Sequence, residues 1–193
     1  MSKLIREQVD LQENSWAFNF IQQLINQQTN KPINQLIIRE IASADNVQIA
    51  KIIRDSLTEF NAAKPGTVFF DETTDRLSEI FTAKRSGYFV IETDGEIAGG
   101  AGFYPTAGLP ENVCELVKLY LAKPFRGKGW GNLLLKKCEE EAKKEGYQKM
   151  YLESMPELIN AIPMYEKNGF RFISGPLGSS GHTGCDIWMI KDL

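Results

Sequence analysis

The 193-residue sequence has few cysteines, and they are badly placed for a covalent or metal scaffold. Cys114, Cys138 and Cys185 are odd in number and widely spaced, which suggests neither a disulfide framework nor a zinc site. The chain also lacks an excess of positive charge. Its 22 Lys and Arg face 25 Asp and Glu, a net charge of −3. That balance argues against a general nucleic-acid binder, which is usually basic. No apolar run approaches the roughly 20 residues that span a bilayer. The first residues, Met1 to Gln8, lack the apolar core of a secretion signal, and a reduced, cytoplasmic setting is the simplest expectation. There is no internal repeat, no low-complexity tail and only one histidine, His182. What the chain does have is 42% hydrophobic content, enough for one well-cored domain with an extension.

The most informative stretch is Arg126-Gly127-Lys128-Gly129-Trp130-Gly131. It follows a strand-like run, Glu115 to Leu121, and precedes an amphipathic pattern from Asn132 to Glu145. A strand, a glycine-rich turn and a helix start make an anion cradle. Glycines let the backbone turn sharply and expose N–H groups, and the helix start adds unpaired donors and partial positive charge. Arg126 and Lys128 add full charges, so a phosphate or pyrophosphate is the expected guest. The usual nucleotide patterns fit poorly. A P-loop needs Gly-Lys followed by Ser or Thr, and here Gly129 follows Lys128. The dinucleotide fingerprint needs a later third glycine, and Asn132 stands there.

A second pattern lies downstream: Ala161-Ile162-Pro163-Met164-Tyr165-Glu166-Lys167-Asn168-Gly169-Phe170, preceded by a short strand, Lys149 to Glu153. Gly169 suits the left-handed position after a helix end. The R-x-x-G-x-G of Arg126, Gly129 and Gly131 and the A-x-x-[L/M]-Y-E-K-x-G-F around Tyr165 resemble the two signatures of the GNAT superfamily of N-acetyltransferases. The resemblance covers residues 36 to 193. Glu115 to Leu121, with Gly175 to Gly178 and Gly181 to Asp186, is also similar to an uncharacterised bacterial subgroup of that family.

The rest of the chain reads in agreement. Residues 1 to 35 form a separate extension, with an amphipathic helix over Ser15 to Gln28 and a linker near Pro32. That helix is expected to pack on the domain or on a partner subunit, a homodimer among the possibilities. Residues 36 to 193 give a strand at Leu36 to Ile41, helices over Val47 to Phe60 and Thr74 to Ala83, and a hairpin turning on Asp94-Gly95. Gly99, Gly100 and Gly102 suggest a bulge or close ligand approach in the second hairpin strand. Further strands fall at Glu115 to Leu121, Lys149 to Glu153, Phe170 to Ser174 and Cys185 to Ile190. The fold class expected is α/β (α+β): a single GNAT-type domain with a mixed central sheet of roughly six to seven strands, splayed between the fourth and fifth, and about four flanking helices.

The resemblance implies a chemistry. Acetyl-CoA, as cosubstrate, lies in the splay. Backbone groups of Leu119, Tyr120 and Leu121 bond its pantetheine arm. The N–H groups of Arg126, Gly127, Lys128, Gly129, Trp130 and Gly131 hold the pyrophosphate, extended by Asn132. Tyr165 matches the family's general acid, and an ordinary phenol with pKa about 10 is protonated at neutral pH. The asparagine that many members place upstream of this tyrosine has Leu158 in its position, with Asn160 close behind as the substitute CoA contact. Pro163 predicts a helix kinked or restarted near Tyr165, and so an irregular one. Candidate bases are Glu115 on the fourth strand and His182 in the last connection, and Glu153 could bind the acceptor or act similarly. Solvent could also take the proton. Phe60, Phe69, Phe70, Tyr104 and Trp188 could line the acceptor pocket, and Asp71, Glu72 and Glu115 could attract a cationic amine. No metal is implied. The expected function is acetyl transfer to a primary amine of a small molecule such as an amino acid. Protein or peptide acetylation and a non-catalytic acyl-CoA-binding regulatory module are the alternatives.

Overall fold

A computed structural model describes residues 36–193, so the helix expected over Ser15 to Gln28 lies outside the described residues. These form a seven-stranded sheet: β1 (Leu36–Glu40), β2 (Gly87–Thr93), β3 (Glu96–Tyr104), β4 (Val113–Leu121), β5 (Lys149–Ser154), β6 (Arg171–Phe172) and β7 (Ile187–Asp192). Four α-helices accompany it: α1 (Asn46–Glu59), α2 (Leu77–Ile80), α3 (Trp130–Lys144) and α4 (Ile162–Lys167). The strand order is β1-β2-β3-β4-β5-β7-β6. Every neighbouring pair is antiparallel except β4–β5.

Strand alternation explains why helices cover both faces. Tyr88 and Val90 of β2 pack with Ile49, Ile53 and Leu57, an i, i+4 stripe of α1. Phe89 and Ile91, between them in sequence, pack with Leu134, Leu135, Cys138 and Ala142 of α3. At the β2–β3 turn, Asp94 and Gly95 both take positive φ (52° and 78°), the backbone that a tight hairpin requires.

The glycines of β3 mark close approach by protein backbone, not by a ligand. A Cβ on Gly99 would overlap the Tyr120 carbonyl, and one on Gly102 would lie 2.7 Å from the Gly87 carbonyl. Opposite them, β4 bulges. Gly100 pairs with Tyr120 and Gly102 with Val117, so Ala101 faces both Lys118 and Leu119. Lys118 absorbs the extra residue at φ 52°.

The bulge falls within the feature that makes the site. β4 and β5 pair from Val113↔Lys149 to Leu116↔Leu152 and no further. Beyond that point β5 continues beside β7, while Val117 to Leu121 has no partner on its β5 side. The sheet therefore splays and leaves backbone hydrogen-bonding groups of β4 facing a gap.

Three sequence expectations change here. The helix over Thr74 to Ala83 is a 3-10 turn (Glu72–Arg76) followed by the single-turn α2. Asp71 starts the tighter coil by accepting a hydrogen bond from the Thr73 N–H at 2.9 Å. The strand over Phe170 to Ser174 shrinks to Arg171–Phe172, because the Phe170 N–H is taken by the Tyr165 carbonyl at the end of α4. Of the kink or restart that Pro163 suggests, the structure has the restart: a 3-10 turn (Pro156–Leu158) ends before α4 begins. Pro163 occupies the first turn of α4, where its missing N–H has no partner to lose.

Candidate active site

The loop between β4 and α3 has the backbone its sequence predicts. Gly127 (φ 74°) and Gly129 (φ 81°) sit in the left-handed region, and nothing lies within 4 Å of a Cβ added to either. Gly129 starts α3 with no side-chain cap, so the first helical N–H groups remain for a ligand. Gly131 is tight: its Cβ would lie 3.1 Å from the Met164 sulfur.

The charged side chains of this loop are placed differently from expectation. The Arg126 guanidinium turns back onto the protein. It donates to the Leu121 carbonyl at 2.8 Å, to Ser56 Oγ at 2.9 Å and to Glu59 at 3.1 Å, above the Phe60 ring. It thus ties the loop to α1. The Lys128 ammonium sits 5.3 Å from both the Phe125 and Trp130 ring centroids, which are stacked on each other, and Lys128 does not line the cleft. The cradle is therefore chiefly backbone. Asn132 accepts a hydrogen bond from Asn168 at 2.7 Å, joining the start of α3 to the end of α4.

A cleft of about 690 Å³ occupies the splay. Leu119, Tyr120, Leu121, Arg126, Gly127, Gly129, Trp130, Gly131, Asn132 and Asn160 line it together with Tyr165, Glu115 and His182. Tyr165 is 7% exposed, packed edge-on against Phe170. Its N–H reaches the Ala161 carbonyl at 3.1 Å, so it stands in a regular helical turn. Among the described residues its hydroxyl has no hydrogen-bond partner. Burial holds the phenol well above its ordinary pKa, so it carries its proton at neutral pH.

Residues far apart in sequence meet at the other end. One ligand atom each of Glu115, Glu153 and His182 lie within 4.8 Å of one another. Glu115 is 3% exposed and accepts a hydrogen bond from the Thr106 hydroxyl. Burial pushes its pKa up to about 7, with the nearby Glu153 adding to the shift and the Thr106 bond, His182 and Lys118 opposing it. Glu153 is fixed by Tyr151 Oη at 2.8 Å and Ser180 Oγ at 2.7 Å. Ser180 Oγ also accepts the His182 N–H at 3.1 Å, which anchors the glycine-rich connection. That connection joins the loop after α1 through the Gly184 N–H and Gly66 carbonyl at 3.0 Å.

Thr106, Tyr151, Ser180 and Lys118 were missed by sequence reasoning. Their types are common, and only the tertiary fold brings Lys118 to the cleft and Thr106, Tyr151 and Ser180 onto its two carboxylates. Of the aromatics expected around an acceptor, Phe60 lines the cleft, while Phe69, Phe70, Tyr104 and Trp188 do not. Phe70 is 60% exposed beside Phe69, Tyr104 packs on Phe81, and Trp188 packs in a small cluster with Val113 and Tyr151. Glu72 is also absent from the lining, and Asp71 is engaged elsewhere.

Asp71 accepts a hydrogen bond from Lys118 at 2.7 Å, and the Lys118 side chain is only 7% exposed. The His182 imidazole, 3.8 Å away, and this ammonium hold the Asp71 carboxyl well below the usual carboxylate range, against the cost of burial. Replacing Asp71 with Asn leaves the lysine nearly buried without its counter-charge. We expect a loss of about 3 kcal/mol, read as a lower urea midpoint. Because the folded pKa is depressed, the ion pair's contribution is present at neutral pH and is lost as the pH falls through the acid range, and Asp71→Asn removes that dependence.

The sequence profile of the Acetyltransferase (GNAT) family matches residues 49–170. An uncharacterized N-acetyltransferase of Escherichia coli (strain K12), YjgM, is 34% identical over 158 residues, covering 81% of this chain and 95% of that protein. Among solved structures, a GNAT-family acetyltransferase from Staphylococcus aureus Mu50 superposes with a TM-score of 0.74 at 20% identity, over 82% of this chain and 99% of that one. The PaiA N-acetyltransferase of Thermoplasma acidophilum, solved in complex with coenzyme A, gives 0.65 at 20% identity, over 82% and 99%.

Proposed function

We propose, from the premise that this chain belongs to the GNAT acetyltransferase family and uses acetyl-CoA as cosubstrate, that it acetylates a primary amine of a small molecule by direct attack in a ternary complex. The observation that carries this reading is the convergence of three groups on one cleft: the open glycine loop, the unpartnered Tyr165 hydroxyl and the buried Glu115. The glycine loop would hold the CoA pyrophosphate, and the free backbone edge of β4 its pantetheine arm. Glu115, directly or through water, would take a proton from the acceptor ammonium. The neutral nitrogen then attacks the thioester carbonyl carbon, forming the N–C bond and moving the carbonyl π electrons onto oxygen. N–H groups on the open side of β4 would bond that oxyanion. Collapse restores the carbonyl and breaks the C–S bond, the nitrogen sheds its second proton to water, the departing thiolate takes the Tyr165 proton, and solvent returns a proton to the phenolate.

A cleft whose acceptor end carries the buried Glu115 and the half-buried Glu153 favours a small amine over an extended peptide. The test is release of free thiol from acetyl-CoA against a panel of amino acids, polyamines, aminoglycosides and lysine peptides. A small amine turned over with normal saturation kinetics is the expected outcome. Turnover confined to lysine peptides would move the assignment to protein acetylation. Coenzyme A binding without turnover of any amine would leave a binding module.

The same assay fixes the base. Glu115 must be unprotonated to act, and its pKa is near 7. In a profile of kcat/KM against pH, the rate should fall on the acid side of about pH 7 and plateau above it. Glu115→Gln should remove that acid limb. A limb that persists in the variant would transfer the role to His182 or solvent.

A further inference from the structure

The acceptor end of the cleft carries a charge imbalance that acetyl transfer by itself does not require. Glu115 and Glu153 bring carboxylate oxygens within 4.8 Å of each other, beside His182. Both are held by neutral hydroxyls: Thr106 on Glu115, and Tyr151 and Ser180 on Glu153. Such donors orient a carboxylate without cancelling its charge. The cationic side chains that line the cleft are already committed. Lys118 is bound to Asp71 at 2.7 Å, and Arg126 to Glu59 at 3.1 Å at the opposite end. His182, also at that end, lies 3.8 Å from Asp71. Among the described residues, a substrate carboxylate at this end would meet two carboxylates and no uncommitted ammonium or guanidinium.

We propose that the acceptor is a diamine or related polycation rather than an amino acid, with Glu115 serving the reacting nitrogen and Glu153 holding the second, still charged ammonium. This rests on the acetyl-transfer reading and narrows its substrate class. The reacting nitrogen must give up a proton before attack, so it cannot also supply a lasting positive charge to the pair. A second ammonium can. The covalent step is unchanged: one ammonium proton passes to Glu115, the N–C bond forms, the C–S bond breaks as the nitrogen's second proton leaves to water, and the thiolate takes the Tyr165 proton, which solvent restores.

The test is a charge series on one carbon skeleton: 1,5-diaminopentane, pentylamine and 5-aminopentanoate. Binding of each to the protein saturated with coenzyme A is measured by calorimetry, and kcat/KM of each by thiol release. We expect the diamine to bind at least about tenfold more tightly than the amino carboxylate, with pentylamine between them. Glu153→Gln should shrink that preference to about threefold or less while leaving coenzyme A affinity unchanged. Ser180→Ala, which frees one Glu153 oxygen, should shrink it partway. The wild-type series needs no variant to fold. Equal or reversed affinities, or no binding by any of the three, would overturn the proposal. The expected binding order without acetylation would support the cation site and count against acetyl transfer to these amines. Acetylation of all three at equal kcat/KM would retain acetyl transfer and overturn the diamine assignment.

Discussion

Gly129→Glu should reduce coenzyme A affinity by a hundredfold or more in a protein that remains folded. Two costs act together. Gly129 has φ 81°, a conformation that costs an L-residue about 1–2 kcal/mol. The new carboxylate would also project into open space at the start of α3, where the loop presents its N–H groups. A charge about 4 Å from a phosphate at a protein surface is worth up to about 4 kcal/mol of repulsion. That repulsion exceeds the roughly 2.7 kcal/mol that a hundredfold change requires, and the strain adds to it only as far as the free loop relaxes out of the geometry that coenzyme A needs. Calorimetric titration with coenzyme A is the measurement, and a thermal melt controls for folding. Because Arg126 and Lys128 direct their charges elsewhere, the backbone has no strong cation to compensate for a loop residue of the wrong sign. Normal affinity in the folded variant would place the pyrophosphate somewhere else.

Tyr165→Phe should lower kcat by about a hundredfold or more while changing the KM for acetyl-CoA little, the signature of a group that acts on the leaving thiolate rather than in ground-state binding. The substitution removes one oxygen and keeps the ring against Phe170, so packing is preserved. Above neutral pH the wild-type rate should persist well past the ordinary tyrosine range, because burial holds the proton on this phenol. Steady-state kinetics of thiol release read both quantities. An unchanged kcat would mean that solvent or another group protonates the thiolate.

How much of this site was legible beforehand depends on what each residue does locally. Gly127, Gly129 and Gly169 announced themselves, because each takes a left-handed backbone that few other residues tolerate. Tyr165 was legible through its neighbours, Met164 to Phe170, which end one helix and lead into the next segment. Pro163 was visible but its consequence was not. Whether a proline kinks or starts a helix depends on where the helix begins, and here it begins at Ile162. Arg126 looked like a phosphate ligand. Its partners Ser56 and Glu59 come from α1, some seventy residues earlier, so no local pattern could show that the guanidinium was taken.

The sequence by itself determined the element order, the two faces of the sheet and the backbone of the glycine loop before α3. Those follow from periodicity of two along strands, from 3.6 along helices and from glycine backbone freedom, all of which act within a few residues. Tertiary structure alone decided how the carboxylates at the far end of the cleft are arranged. Glu115 and Glu153 become neighbours only because β4 and β5 run parallel in register up to Leu116 and Leu152. Thr106 enters from the β3–β4 connection, and Ser180 and His182 from the connection before β7. Burial then raises the Glu115 pKa to about 7, and burial is a property of what surrounds a side chain, not of its place in the chain.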